Sequence, residues 1–82
     1  MKDIQERVLN IFEKSFAIDS KKIEMSSRLN EDLGINVITT EGVELLEHLE
    51  EEFEISIPNE DFVEVKTVQD LIKLIQNNIK EK

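Results

Sequence analysis

The chain has 82 residues, 39% of them hydrophobic and 35% charged, with two glycines, one proline, one histidine and no cysteine. That length fits one domain with a single modest core and leaves no room for a deep active site beside a second binding domain. The formal net charge of −9 argues against a reader of phosphate backbones, which needs Lys or Arg at each contact, and the missing cysteines exclude disulfides, thiolate metal sites and a cysteine nucleophile.

Few glycines and prolines among many Glu and Lys residues favour helices over long β-hairpins. The N-terminal stretch MKDIQERVLNIF alternates charged and apolar residues, so neither a signal peptide nor a membrane span is expected. A cytoplasmic location agrees with that and with the absence of cysteine. Asp3 with Glu6 three positions on forms a capping-box pattern, and Ile4, Val8, Ile11, Phe12 and Phe16 follow helical spacing, which predicts a first helix over 3–16. From 17 to about 39 the period fails, yet Ile18, Ile23, Met25, Leu29, Leu33, Ile35, Val37 and Ile38 recur, as in a long loop pinned to a core. Loops of that length in small domains are often functional, which directs attention to the far end, near Gly34.

Thr39 or Thr40 is placed to cap a second helix through EGVELLEHLEEEFE, with Val43, Leu46, Leu49 and Phe53 as its inward stripe. Its other face reads Glu41, Glu44, Glu47, His48 and Glu51. Residues 55–58 form an extended link, and Pro58 with Asn59 starts a short third helix through 65. Thr67 with Asp70 makes another capping box, and Val68, Leu71, Ile72, Ile75 and Ile79 give the last helix an apolar face. The expected architecture is all-α, one domain over 1–82: a small four-helix bundle of three principal helices and one short one, with a long first loop. Phe12, Phe16, Phe53 and Phe62 are read as packing.

The only histidine, His48, lies mid-helix among glutamates, so no nucleophile has an activating base and no enzyme is expected. Glu44 and His48 are one turn apart, but a stable metal site needs more convergent ligands, and none is assigned. Asn30, Asp32 and Glu41 fall on three positions of a calcium-binding loop whose glycine position is taken by Ile35, so that reading is rejected. Glu50, Glu51 and Glu52 point around a helix instead of pairing in a cleft. An acidic run is usually a solvated face. Here Glu41, Glu44, Glu47 and Glu51 share one side of one helix beside the long loop, which favours docking onto basic protein surfaces, an encounter that salt should weaken.

Glu-Asp-Leu-Gly at 31–34, Val-Glu-Leu at 43–45 and Leu-Glu-Glu-Glu-Phe at 49–53 together resemble acyl carrier proteins. Ile-Pro-Asn-Glu-Asp at 57–61 is similar to that family's link into its short third helix, and Lys-Thr-Val-Gln-Asp-Leu-Ile at 66–72 to the start of its fourth. The resemblance implies a carrier fold whose 4′-phosphopantetheine arm, bearing an acyl chain, is attached to the serine of an Asp-Ser-Leu motif at the start of the second helix. A phosphodiester gains there from the positive helix end and its unpaired N–H groups. The resemblance also implies acidic residues of that helix meeting basic patches on biosynthetic enzymes, and an acyl chain able to retreat into the core.

The chain departs from the pattern at the attachment site. Counting forward from Gly34 places Val37 where serine belongs; counting back from Val-Glu-Leu places Thr39 there, because the interval is a residue or two longer than usual. Val37 has no hydroxyl, while Thr39 and Thr40 carry one crowded by a methyl and are also natural N-caps. Gly42 in the first helical turn costs about 1 kcal/mol against alanine and suggests a remodelled or mobile helix entrance. The expectation is a monomeric carrier homologue of fatty-acid or polyketide-type biosynthesis without a prosthetic group. It would dock through Glu41, Glu44, Glu47 and Glu51, with Leu45 and residues 35–38 as apolar contacts. Two alternatives stand beside it: a working carrier loaded on Thr39 or Thr40, and a noncovalent acyl-chain binder using the core between the second helix and Phe62, Val63 and Val65.

Overall fold

The capping patterns place the outer helices of the computed structural model, which describes residues 3–79. The ends of the predicted domain, residues 1–2 and 80–82, lie outside the described residues. Helix α1 (Ile4–Phe16) begins where Asp3 Oδ1 accepts the Glu6 N–H at 2.9 Å. It stops at Ala17, which turns left-handed (φ 57°) and donates its N–H to the Phe12 carbonyl. The principal helix at the other end, Val68–Ile79, is preceded by a reciprocal capping box: Thr67 Oγ1 accepts from the Asp70 N–H at 3.1 Å while Asp70 Oδ2 accepts from the Thr67 N–H at 3.3 Å. Its buried residues are Val68, Leu71, Ile72 and Ile75; Ile79, predicted to share that face, is exposed at the helix end.

Between these ends lie α2 (Thr40–Phe53) and the short α3 (Asn59–Phe62), so the last helix is α4. Helix α3 is shorter than predicted: it ends at Phe62, and Val65 turns inward from the following bend as a separate core residue. Helix α1 packs against both α2 and α4, and α3 leans on α4. No strand occurs among the described residues, and the architecture is the expected all-α bundle of three principal helices and one short one. Its core holds Phe12, Phe53 and Phe62 with the buried aliphatic residues, while Phe16 is half-buried; none of the described core side chains is polar.

The loop from 17 to 39 is ordered by its own apolar residues and by hydrogen bonds. It contains one 3₁₀ turn (Ser20–Lys22), and its Ile23, Leu29 and Ile35 are buried. An isolated antiparallel bridge joins Arg28 to Thr67, with the Leu29 N–H donating to the Lys66 carbonyl at 2.9 Å and the Val68 N–H to the Ser27 carbonyl at 3.0 Å. Gly34, at φ +74°, then turns the chain so that the Ile35 N–H reaches the Leu29 carbonyl at 2.7 Å. This region of φ disfavours side chains, which accounts for a glycine there.

Along α2 the predicted stripe holds at Leu49 and Phe53, but its first two positions lie one residue earlier than predicted. Its buried positions are Gly42, Leu45, Leu49 and Phe53, whereas Val43 is 53% exposed and Leu46 half-buried. At the far end Arg7 of α1 fixes the helix. The guanidinium pairs with Glu52 Oε2 at 2.8 Å, donates to the Glu52 carbonyl at 2.7 Å and lies 4.4 Å from the centre of the Phe53 ring. Cation–π contact and a capped C-terminal carbonyl both favour that arrangement. Glu50 then holds the link to α3 by accepting the Ile57 N–H at 2.8 Å.

Candidate functional site

The start of α2 is built around Asn36. Its side-chain Oδ1 accepts the Ile38 N–H at 3.0 Å, and its carbonyl accepts both the Thr39 N–H at 3.1 Å and the Thr39 hydroxyl at 2.8 Å. Its own N–H donates to Glu41 Oε1 at 3.3 Å. Short polar side chains make such local turns because they reach backbone groups two residues on. Thr39 therefore stands at the N-cap of α2, in extended conformation, but its hydroxyl turns back to the loop and caps nothing. The expectation of a threonine side-chain cap is corrected: the Asn36 carbonyl holds the hydroxyl that a cap would use. Thr40 is the first helical residue and is exposed.

Gly42 explains the rest of the entrance. A Cβ at this position would run into the Val37 carbonyl, so the loop crosses the first turn of α2 at a distance only glycine permits. Of the two readings of Gly42, the remodelled entrance is what the close approach and the Asn36 hydrogen bonds describe. The charge pattern leading into the loop is also ordered. Arg28 pairs with Glu31 at 2.6 Å and with Asp32 at 3.3 Å. The Arg28 backbone N–H and then its side chain hold the Asp32 carboxyl below the ordinary carboxylate range. Hydrogen bonds to the charged form have that effect.

Glu41, Glu44, Glu47 and Glu51 are all exposed along α2. Leu45, expected as an apolar contact beside them, is 0% exposed and fills the core instead. The apolar surface next to the acidic face comes from Ile38, 78% exposed, and Val43, which the apolar pattern had assigned to the core. His48 stands edge-on to the Phe16 ring, with centroids 6.4 Å apart, and no group of three or more metal-binding side chains occurs among the described residues. A cleft of about 400 Å³ opens on the other side of the entrance loop. Leu29, Ile35, Val37 and Ile38 face Val63 and Val65 across it, with Arg28 and Lys66 also in its lining. Leu45, Leu49 and Phe62 are buried in the core, and the cleft lies between the loop and Val63 and Val65 instead of between α2 and Phe62, Val63 and Val65.

A family model described as the phosphopantetheine attachment site matches residues 6–75. Members of that family carry acyl groups on a 4′-phosphopantetheine arm and are not themselves the catalysts. The side chains at this helix start fit the arm poorly: Val37 offers no hydroxyl, and the Thr39 hydroxyl is β-branched and donated to Asn36. Fold, motif order and matched span nevertheless agree, and the chain belongs to the phosphopantetheine-attachment family of acyl carrier proteins.

Proposed function

We propose that the protein is an arm-free carrier homologue that docks onto enzymes of fatty-acid or polyketide type through α2. The observation carrying this reading is Thr39: it stands where counting back from Val-Glu-Leu puts the family's serine, and its hydroxyl is 2.8 Å from the Asn36 carbonyl. Glu41, Glu44, Glu47 and Glu51 supply a field that attracts basic patches, and the exposed Ile38 and Val43 supply apolar contact in place of the buried Leu45. The protein acts in this reading as a single-domain cytoplasmic monomer with no chemistry of its own. Intact-mass measurement after incubation with coenzyme A, magnesium and a broad-specificity phosphopantetheinyl transferase tests it, with a normal carrier protein as control. No mass gain beside a loaded control is the expected result. A one-arm gain mapped to Thr39 or Thr40 makes the protein a working carrier.

The cleft favours one second reading, noncovalent binding of an acyl chain. Its apolar residues match an acyl chain, and Lys66 supplies a cation in the lining, whereas Arg28 is paired with Asp32 and with Glu31, which also lines the cleft. Fatty acids that leave the thermal unfolding of the purified protein unchanged, with no lipid seen in its native mass spectrum, would remove that reading.

A further inference from the structure

Ile38 is the most exposed of the large apolar side chains described, and the loop holds it there. Its N–H donates to Asn36 Oδ1 at 3.0 Å, and the next residue, Thr39, is tied to the Asn36 carbonyl by both its N–H and its hydroxyl. On the other side the Val37 carbonyl is packed against Gly42. The side chain is therefore presented by a turn fixed before and after it, which leaves little ordering cost to be met on contact. Its β-branch restricts χ1 as well.

Ile38 does not stand alone. Half-buried Val37 and, across the cleft, Val63 continue the apolar surface, and Val43 lies in the first turn of α2. From Leu29 to Val65 the sequence contains no lysine or arginine, while Glu41, Glu44 and Glu47 of α2 and Glu60 and Glu64 around α3 are exposed. An apolar knob inside an uninterrupted anionic field is complementary to one kind of surface, an apolar recess ringed by lysines and arginines. An enzyme that receives an acyl chain on an arm needs a channel open toward the docked carrier, and its mouth is apolar where the chain passes.

We propose that Ile38 is the anchor of an inhibitory docking surface: it seats in the apolar channel mouth of an acyl-carrier-dependent enzyme, with α2 on the basic rim, and excludes loaded carriers from that site. This rests on the arm-free docking reading above and specifies its consequence. A homologue that delivers nothing but occupies the entrance lowers the flow of acyl groups as its concentration rises against that of the loaded carriers. The glutamates set how fast the complex forms, and the seated isoleucine sets how long it lasts. A side chain at the centre of a contact, ringed by groups that exclude water, is where truncation costs most.

The test uses an acyltransferase that takes its acyl group from a normal acyl carrier protein, assayed over rising concentrations of the loaded carrier. Wild-type protein, Ile38→Ser and Ile38→Leu are added in turn; thermal unfolding checks folding, and a biosensor measures binding to the enzyme. The expected result for wild type is a raised KM for the loaded carrier at unchanged kcat. Ile38→Ser should inhibit at least about tenfold more weakly, and Ile38→Leu should inhibit as wild type does. A folded Ile38→Ser chain that inhibits as strongly as wild type overturns the anchor and leaves the docking reading intact. Wild-type protein that binds the enzyme without raising that KM overturns the inhibitory role, again with docking intact. No binding at all removes the docking reading and this inference with it.

Discussion

Gly42 shows how a residue that looks costly in isolation can be required by its surroundings. Alanine at this helical position would gain about 1 kcal/mol of propensity. It would also drive a methyl into the Val37 carbonyl, a backbone atom with no flexible side chain to yield. Overpacking of this kind costs about 1–3 kcal/mol. Gly42→Ala should therefore destabilise the protein in urea unfolding despite the better helix former, and a stabilised variant would contradict the close approach. Asp32 gives a second prediction. Its folded pKa lies below the ordinary value because the Arg28 backbone N–H, then the Arg28 side chain, binds the ionised form. Its contribution to stability is therefore present above the ordinary carboxylate pKa and is lost as pH falls through the depressed folded value. Asp32→Asn should flatten that part of the acid-unfolding profile and leave its higher-pH part parallel to wild type. At this scale the sequence is readable where partners are local: Asp3 and the Thr67–Asp70 pair announce their caps three residues away. Gly42 is not readable, because its partner is a backbone carbonyl brought over the helix by a turn that no side-chain pattern records.

The elements were legible to different degrees for the same reason. The apolar periods of α1 and α4 are long and well filled, so both helices could be placed from spacing alone. In α2 the first inward position is a glycine, which carries no apolar side chain, and the pattern shifts to Val43 as a substitute. The true face runs Gly42, Leu45, Leu49 and Phe53. This difference predicts two contrasting substitutions. Leu45→Ala removes a side chain with no exposure and should cost about 2–5 kcal/mol. Val43→Ser changes a largely exposed position and should stay within about 0.5 kcal/mol of wild type. Denaturant unfolding distinguishes them, and a larger loss for Val43→Ser than for Leu45→Ala would place the helix in the other register. The long loop was readable as pinned, from Ile23, Leu29 and Ile35, but not as bridged to Thr67, since a backbone bridge leaves no mark on composition.

At the scale of the whole molecule, charge does what packing cannot. A net charge of −9 on 82 residues repels copies of the chain and draws basic surfaces toward it from beyond contact distance. The exposed glutamates of α2 lie next to Ile38 and Val43, so steering charge and desolvating contact occupy adjoining surface. No described helix is long and apolar enough to cross a membrane. Electrostatic steering acts on approach, and short-range apolar contact acts on residence. Reversing Glu44 and Glu47 together to lysine should therefore slow association with an enzyme that binds normal acyl carrier proteins, and should leave its dissociation rate nearly unchanged. Stopped-flow association at several ionic strengths measures both effects. The wild-type rate should fall steeply as salt shortens the Debye length to about 8 Å near physiological strength, while the reversed variant should show a flatter dependence. Val43→Ser should do the opposite, speeding dissociation with little change in the salt slope. Equal on-rates and equal salt slopes for wild type and the charge-reversed chain would remove α2 as the docking face.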